Sequence, residues 1–175
     1  MDSERARSVL LYIYNDIGVD GYLRAFKLLY LAERYHLAKY GRPILDDDYC
    51  ALPNGPVPTT IYDTFKSLGK KSNNILSGFD DSFKVEKYTV TPLAEPDMDE
   101  LSPSMIEALD YSLHTFRNYP TPKLVNESHD DAWNRATNRS GLRIMELKEI
   151  AEAGGASNAA LEYLTLSLEN NHFVD

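Results

Sequence analysis

The chain has 175 residues, of which 43% are hydrophobic and 26% are charged, and 18 Lys and Arg against 27 Asp and Glu give a formal net charge of -9. This length and composition are typical of one globular domain, and they exclude a disordered chain and a collagen-like repeat. The single cysteine, Cys50, excludes an intrachain disulfide, and no apolar run reaches the roughly 18 residues that span a bilayer. We therefore expect a cytoplasmic protein that does not contact a membrane.

The charge is distributed unevenly along the chain. Residues 22–42 carry five basic residues against Glu33 alone, a net of +4, whereas residues 146–175 carry six acidic residues against Lys148, a net of -5. The overall acidity disfavours binding to a phosphate backbone. Separate basic and acidic regions suit a protein partner at least as well as a nucleic acid.

Hydrophobic periodicity predicts three helices in the first seventy residues, at about 3–15, 22–40 and 58–68. The second of these is apolar nearly all round, which predicts the central buried helix of the fold. Gly41 and Pro43 follow it as a helix stop.

Residues 46–58 predict a loop that contains a short extended piece at Tyr49 to Leu52. After that piece, the close succession of Pro and Gly predicts no regular structure from Pro53 to Pro58. Residues 83–90 are rich in β-formers and predict a single strand. Its partner is either residues 49–52 or residues 75–79, and the sequence leaves both open.

The second half of the chain predicts more helices. Ser102-Pro103 begins one that runs to about Phe116, and Thr121-Pro122 begins a shorter one. The tail predicts two short helices, 145–153 and 157–169, on either side of Gly154-Gly155. The predicted fold is mainly α, a compact helical domain around a central buried helix with a small β-hairpin or short antiparallel sheet. We expect a domain of residues 1–140 and a C-terminal helical hairpin of residues 141–175 packed on it.

The first possible functional site is a metal site. Its candidate ligands are acids and one histidine: Asp46, Asp47, Asp48, His129, Asp130 and Asp131. No spacing among them matches a zinc or calcium pattern. A run of three aspartates beside Gly and Pro is typical of a solvated loop, and an acid after His129 is typical of a helix start. A metal-dependent hydrolase is therefore the least favoured function, and we expect no metal and no cofactor.

Nucleophilic catalysis and DNA binding are also weakly indicated. Cys50 lies in an apolar setting, where a lone cysteine is usually a buried small side chain, and no histidine, whether His36, His114, His129 or His172, is tied to it by sequence. The tail has a helix-turn-helix outline, which leaves a DNA-binding autorepressor as an alternative function. Its second helix carries Glu162 and no Lys or Arg, so a packed helical hairpin is favoured.

The Gly-Pro segment from Asn54 to Pro58 lacks the Lys-Ser/Thr pair of a phosphate-binding loop. Because each proline fixes φ, the segment predicts a stiff surface loop, and such a loop loses little entropy on docking to a protein.

A series of residues shared in fixed order identifies a family. It comprises Lys27, Glu33, Arg34 and His36 on the central helix, then Tyr40, Gly41, Arg42, Pro43, Ile44, Tyr49, Ala51, Gly55, Pro56 and Val57. Downstream it continues with Leu101, Ser102, Ser128, His129, Ala132 and Trp133. On these residues the chain resembles the Panacea antitoxin domain family, also called SocA-like, over about residues 5–137. It departs from the family pattern at Glu33, where an Asp is common, and at Pro53-Asn54, and the tail after about Thr137 matches less well.

The resemblance implies a non-enzymatic antitoxin of a bacterial or phage toxin–antitoxin system that neutralises a cognate toxin by direct protein–protein binding. It also implies a second role for some members, as adaptors that deliver the toxin to an ATP-dependent protease. The residues predicted to bind the partner are Lys27, Arg34, His36, Arg42, Asn54, Gly55 and Pro56, and those predicted to maintain the motif's structure are Tyr40, Gly41, Pro43, Tyr49, His129 and Trp133.

A fold-keeping role remains an equal alternative for the polar residues of the first group, because buried polar side chains usually satisfy local backbone groups. The two roles predict different outcomes for Lys27→Glu and Arg34→Glu. A partner contact predicts weaker neutralisation by a folded protein, and a scaffold role predicts loss of the fold. Trp133 is expected in the core, since large aromatic side chains dominate core burial.

Overall fold

The computed structural model of the chain describes residues 1–70 and 76–171. Its helices are α1 (Ser3–Ile17), α2 (Tyr22–Tyr40), α3 (Thr59–Lys70), α4 (Phe79–Ser82), α5 (Pro103–Phe116), α6 (Thr121–Ser128), α7 (Asp131–Thr137), α8 (Leu147–Ala153) and α9 (Asn158–Asn171). Its strands are β1 (Asp20–Gly21), β2 (Tyr49–Leu52), β3 (Gly55–Pro58), β4 (Phe83–Glu86), β5 (Thr89–Pro92) and β6 (Ile144–Met145). A short 3-10 turn covers Met98–Glu100. The predicted mainly α fold is confirmed.

Helix α2 is the centre of the molecule, as predicted. Twelve of its 19 residues are buried, and α1, α5, α6, α8, α9 and β3 all pack against it. It ends at Gly41, whose φ of 62° is left-handed and whose N–H donates to the Leu37 carbonyl at 2.9 Å. A glycine adopts this conformation without the steric cost of a Cβ, which explains why the helix stops there.

The strands of the described residues form two antiparallel sheets, ordered β1-β5-β4 and β3-β2-β6. The predicted single strand at 83–90 is wrong, because the chain turns at Lys87-Tyr88 and forms the β4–β5 hairpin. The first predicted partner, residues 49–52, is wrong, since β2 pairs with β3 and β6, while β5 pairs with β1. Of the second predicted partner, Phe79 lies in α4, and Ile75 lies outside the described residues. This turn was not predictable from the sequence, because its left-handed position, which Gly or Asn usually occupies, is taken by Lys87 at φ 59°.

The extended piece at Tyr49 to Leu52 is confirmed as β2, but the prediction of no regular structure after it is wrong. Gly55 to Pro58 forms β3, paired with β2 from Leu52↔Gly55 to Tyr49↔Pro58. Strand β3 is an edge strand, and its two prolines stand at alternate positions, facing Ala51 and Tyr49. At alternate positions of an edge strand the ladder does not require an N–H group, so proline is tolerated there. The stiff loop is therefore reduced to the two-residue turn Pro53-Asn54.

The tail packs against α2. A Cβ added at Gly154 lies 2.6 Å from the Arg34 carbonyl oxygen, and one added at Gly41 lies 2.7 Å from the Ala160 carbonyl oxygen. The predicted helix from 145 starts two residues later, at Leu147, because Met145 pairs with Tyr49 in β6. The division at residue 140 into two units stays a prediction.

None of the helices within residues 1–70 and 76–171 combines the length and apolar character needed to cross a membrane.

Candidate protein-interaction site

Five of the polar residues that carry the family pattern meet where α2 contacts the β2–β3 hairpin and the corner between α6 and α7: Lys27, Arg34, Ser128, His129 and Trp133. We call this region the hairpin junction, defined by Lys27, Tyr30, Arg34, Leu52 to Pro56, and Ser128 to Trp133. Helix α2 supplies its floor, the hairpin turn covers one side, and the α6–α7 corner covers the other.

Lys27 is fully buried at the centre of the junction. Its ammonium group donates to the Pro56 carbonyl oxygen at 2.5 Å. Burial lowers the pKa of Lys27 to about 7, because a low-dielectric setting disfavours the charged form. Gly55 makes this approach possible, since its φ is +90° and an added Cβ lies 2.5 Å from Ser128 Oγ and 2.8 Å from Lys27 Cε.

Asp130 fastens α7 to α2. Its Oδ2 accepts from Arg34 Nη1 at 3.0 Å and from the Tyr30 hydroxyl at 2.8 Å. Its Oδ1 accepts from the backbone N–H of Trp133 at 3.1 Å and so caps the first turn of α7. The prediction of a helix start after His129 is confirmed. A carboxylate that accepts three bonds, one of them from a guanidinium, holds its neighbours firmly.

His129 and Trp133 stack on each other, with ring centroids 3.8 Å apart and planes 14° apart. The indole N–H of Trp133 donates to the Leu52 carbonyl oxygen at 3.0 Å. Burial first, and the nearby Lys27 charge second, lower the pKa of His129. Its Nε2 has no hydrogen-bond partner among the described residues. Both rings are half-buried, so the pair forms part of the junction's rim, and Trp133 packs against the core only in part.

The exit of α2 forms a second group of bonds. His36 is 3% exposed, and its Nδ1 lies 2.6 Å from the Arg42 carbonyl oxygen and its Nε2 3.0 Å from Ser104 Oγ. Burial lowers the pKa of His36. Glu33 is fully buried and its Oε1 accepts from the Ile44 N–H at 2.7 Å. Burial raises the pKa of Glu33 to about 8, and its Oε2 has no partner among the described residues.

Glu107 joins this exit from α5. It accepts from the hydroxyls of Tyr35 at 2.7 Å and Tyr40 at 2.5 Å, and from the Lys39 ammonium. These three donors, led by Lys39, lower the pKa of Glu107 to about 2.

The seven residues predicted to bind a partner differ in exposure. Arg42 and Asn54 are exposed, Arg34 is half-buried, and Lys27, His36, Gly55 and Pro56 are buried. In this conformation the four buried residues contact the protein itself, so a partner reaches Arg42 and Asn54 directly. The partner-binding role of the whole set stays a prediction.

The six residues predicted to maintain the motif's structure, Tyr40, Gly41, Pro43, Tyr49, His129 and Trp133, are buried or half-buried. Tyr49 is 1% exposed, and its ring lies 5.4 Å from that of Tyr30. These contacts fit a structural role, which also stays a prediction. Sequence reasoning missed Tyr30 and Glu107. Nothing marks Tyr30 among twelve tyrosines, but Tyr35 and Lys39 four residues apart on one helix face signal a shared acidic partner such as Glu107.

Two of the acids considered as metal ligands, Asp47 and Asp130, instead accept hydrogen bonds from backbone N–H groups at the starts of helices. Asp47 accepts from the N–H groups of Thr60 at 3.0 Å and Ile61 at 3.1 Å and so begins α3, while Asp130 begins α7. In the part of the chain that the structure describes, no three His, Cys, Asp or Glu residues are placed to hold a metal ion. Cys50 is half-buried, and burial raises the pKa of its thiol, which disfavours a thiolate nucleophile.

Residues 26–134 match the family described as Antitoxin SocA-like, Panacea domain. The matched segment contains α2 from its fifth residue onward, the β2–β3 hairpin and the α6–α7 corner, and thus the whole hairpin junction. The chain belongs to this antitoxin family, and the resemblance drawn from its sequence is confirmed. Comparison with curated proteins and with solved structures gave no match.

Proposed function

We propose that this chain is the antitoxin of a bacterial or phage toxin–antitoxin pair and that it neutralises its toxin in the cytoplasm by direct protein–protein binding. Family membership supports a role of antitoxin type. The observation that carries the binding mechanism is the Pro53-Asn54 turn, an exposed element on a rigid support. The proposal assigns no catalytic role to any residue.

Both sides of this turn are fixed to the rest of the molecule. Immediately before it, the Leu52 carbonyl accepts from Trp133, and shortly after it, the Pro56 carbonyl accepts from Lys27. Pro53 further restricts the backbone at the turn itself. A surface that is ordered before binding loses less conformational entropy when the partner docks. The turn therefore has the properties of a docking element, and the half-buried His129–Trp133 pair supplies aromatic area beside it.

Arg42 adds an exposed cation to the proposed surface. Its carbonyl oxygen lies 2.6 Å from His36 Nδ1, so the backbone is fixed, while the residue is exposed and its side chain can reach a partner. In a chain of net charge -9, such a cation favours a toxin that presents an acidic group at this position.

The test is growth of cells that express the adjacent reading frame, with and without this chain, followed by co-purification of the two proteins. The variants are Asn54→Arg and Arg42→Glu, with Lys84→Glu on β4 as a control for a charge change elsewhere on the surface. We expect the wild-type chain and the control to restore growth and to form a complex. Asn54→Arg and Arg42→Glu should weaken the complex at least about tenfold without lowering the melting temperature, as expected when a central contact is replaced.

Two results would contradict the proposal. Rescue without a complex would indicate repression of the toxin's promoter, for which a gel shift on that promoter is the direct assay, or degradation of the toxin. Full affinity in both surface variants would place the contact away from the turn.

Delivery of the toxin to an ATP-dependent protease is an addition to this proposal and is tested separately. If the chain acts as an adaptor, the half-life of the toxin should shorten when the chain is co-expressed, and the effect should disappear in a strain without the protease. An unchanged half-life would limit the chain to inhibition by binding.

A further inference from the structure

We propose a second site, independent of the proposed toxin contact: a pocket that binds a nucleoside phosphate, either free or as part of a single-stranded nucleic acid. The pocket has a volume of about 440 Å³ and lies where α3 and the start of α2 meet the β4–β5 turn. Three tyrosines and three lysines line it: Tyr22, Tyr62, Tyr88, Lys66, Lys70 and Lys87. None of them belongs to the hairpin junction.

The tyrosines form an aromatic cup. Tyr22 is 8% exposed and its ring lies at the base. The ring of Tyr62 lies 6.0 Å from it and that of Tyr88 5.8 Å from it, both in edge-on contact. The base is rigid because Tyr22 stacks on Phe26 at 5.5 Å and its N–H donates to the Tyr88 carbonyl at 3.0 Å. Tyr88 is 71% exposed. Its open face offers a planar ring a surface on which to stack.

The lysines come from two separate elements. Lys66 and Lys70 lie on the last turns of α3, where a helix dipole favours cations. Lys87 reaches the pocket from the hairpin turn, in the left-handed conformation that a residue with a side chain rarely adopts. This conformation belongs to the two-residue β4–β5 turn, which places Lys87 and Tyr88 beside each other at the pocket.

The charge of the pocket contrasts with that of the whole chain. The protein carries a net charge of -9, yet the residues that line this pocket include three ammonium groups and no carboxylate. Asp63, outside the lining, lies 3.4 Å from Lys66. Among the described residues no carboxylate pairs with Lys70 or Lys87. Clustered ammonium groups bind phosphate oxygens as point charges.

An aromatic cup beside a cluster of lysines fits a ligand that is planar at one end and polyanionic at the other. A nucleoside phosphate has this form, with the base on the tyrosines and the phosphates on the lysines. An acidic peptide would satisfy the lysines and leave the aromatic cup unused. The volume lies within the range typical of small-molecule sites.

The test is isothermal titration calorimetry of the full chain, which measures the dissociation constants of ATP, GTP, inorganic phosphate and a short oligo(dT) or oligo(U). The variants are Tyr88→Ala and the double variant Lys66→Gln/Lys70→Gln. The matched control is Lys84→Gln/Lys148→Gln, which removes the same charge outside the pocket. We expect a nucleotide or an oligonucleotide to bind, each site variant to weaken binding at least about tenfold, and the control to change it less than about twofold. Tighter binding of the oligonucleotides than of ATP or GTP would identify a single strand as the source of the ligand, and the reverse order would identify a free nucleotide.

Three outcomes would overturn the proposal. The first is no binding of any nucleotide or oligonucleotide at millimolar concentration. The second is equal loss of binding in the control, which would indicate a diffuse charge effect. The third is binding of inorganic phosphate as tight as that of ATP and insensitive to Tyr88→Ala, which would remove the contribution of the base. Melting curves of all variants confirm that each compared protein is folded.

Discussion

Lys27 and Glu33 are fully buried in the middle of α2, and neither forms an ion pair with any residue that the structure describes. Burial brings the pKa of Lys27 down to about 7 and that of Glu33 up to about 8. At neutral pH the Glu33 carboxyl is therefore mostly protonated, and Lys27 is close to half-charged. Both residues are held by neutral groups, the Pro56 carbonyl for Lys27 and the Ile44 N–H for Glu33.

Glu33→Gln is expected to remove a pH-dependent part of the stability. The folded-state pKa of about 8 lies above the ordinary value of 4.5, so the contribution of Glu33 is fully present below pH 4.5 and is lost as the pH rises through 8. Each pKa unit corresponds to about 1.4 kcal/mol, so the rise from 4.5 to about 8 corresponds to a loss on the order of 5 kcal/mol. The free energies of unfolding of Glu33→Gln and wild type should be similar at pH 5, and the variant should be the more stable at pH 8.5.

The measurement is urea unfolding at several pH values between 5 and 8.5. The difference between variant and wild type isolates Glu33 from other titrating groups. A difference that stays constant across this range would mean that Glu33 is ionised in the folded protein.

The scaffold role of Lys27 leads to a second prediction at this scale. Lys27→Glu places a carboxylate against the Pro56 carbonyl oxygen, and an uncompensated buried charge costs about 3–5 kcal/mol. Lys27→Met keeps most of the side-chain volume but leaves the Pro56 carbonyl without its hydrogen bond. The cost of that lost bond is largely offset, because the variant no longer buries an ammonium group. In thermal unfolding at pH 7, Lys27→Glu should be strongly destabilised and Lys27→Met should stay within about 1 kcal/mol of wild type.

A neutralisation assay of the same two variants distinguishes a scaffold role of Lys27 from direct contact with the toxin. A folded Lys27→Met protein that still neutralises the toxin supports the scaffold role. A folded Lys27→Glu protein that has lost neutralisation would instead support direct contact.

At the scale of elements, the sequence predicts helices well where a local chemical signal marks their ends. Helix α2 ends at the predicted glycine, and α5 runs from the predicted Pro103, after the Ser102 cap, to Phe116. A small hairpin or sheet was predicted, but the positions of the two hairpins were missed where the local signal was absent or misleading. Lys87 occupies a left-handed turn position without being Gly or Asn, and Pro56 and Pro58 stand on an edge strand that tolerates them.

The packing of α8 on α2 predicts an asymmetry between two glycines. At Gly154 an added Cβ lies 2.6 Å from the Arg34 carbonyl oxygen and 2.8 Å from Ala38 Cβ, whereas at Gly69 its nearest neighbour is Val85 Cγ1 at 3.4 Å. Gly154→Ala should therefore destabilise the fold by about 1–3 kcal/mol through overpacking. Gly69→Ala lies in the last turn of α3 and should be neutral or slightly stabilising, because alanine has a higher helix propensity than glycine by up to about 1 kcal/mol.

The comparison is made by differential scanning calorimetry of the two variants and wild type. About 1 kcal/mol corresponds to a shift of about 2–4 °C in a protein of this size. Equal melting temperatures for the two variants would mean that α8 shifts away from α2 at little cost.

At the scale of the whole molecule, the sequence predicts which residues the family pattern includes, but not how deeply each of them is buried. The family pattern includes Lys27, Arg34 and His36, and the structure brings Lys27 and Arg34 to the hairpin junction and His36 to the exit of α2. Their burial was not predictable from a single sequence, because it depends on elements far away along the chain. Tyr30 and Asp130 are 100 residues apart, and no local spacing links such a pair. The exposed turn at Pro53-Asn54 was predictable, since proline and asparagine are typical of turns.

The tail provides the last prediction, which concerns whether residues 1–140 fold alone. Truncation after residue 140 removes β6 and its pairing with Tyr49 and Cys50. Among the described residues of the tail, it also removes four buried side chains, Met145, Ile150, Ala151 and Leu164. Each large apolar side chain contributes about 1.5–3 kcal/mol through burial, and a domain has only about 5–15 kcal/mol of net stability. We therefore expect residues 1–140 to lose cooperative thermal unfolding and to be cleaved rapidly by protease.

Truncation after residue 157 is the matched comparison, because it keeps β6 and α8 and removes α9. Of the four buried side chains, this truncation deletes only Leu164. The protein of residues 1–157 should therefore unfold cooperatively, at a lower melting temperature than the full chain. The two truncations thus assign the tail's stabilising effect to β6 and α8, which contact β2 and α2 directly. A cooperative transition in residues 1–140 as well would show that the tail is a separate unit added to a self-sufficient domain, and the hairpin junction would then be open to study without it.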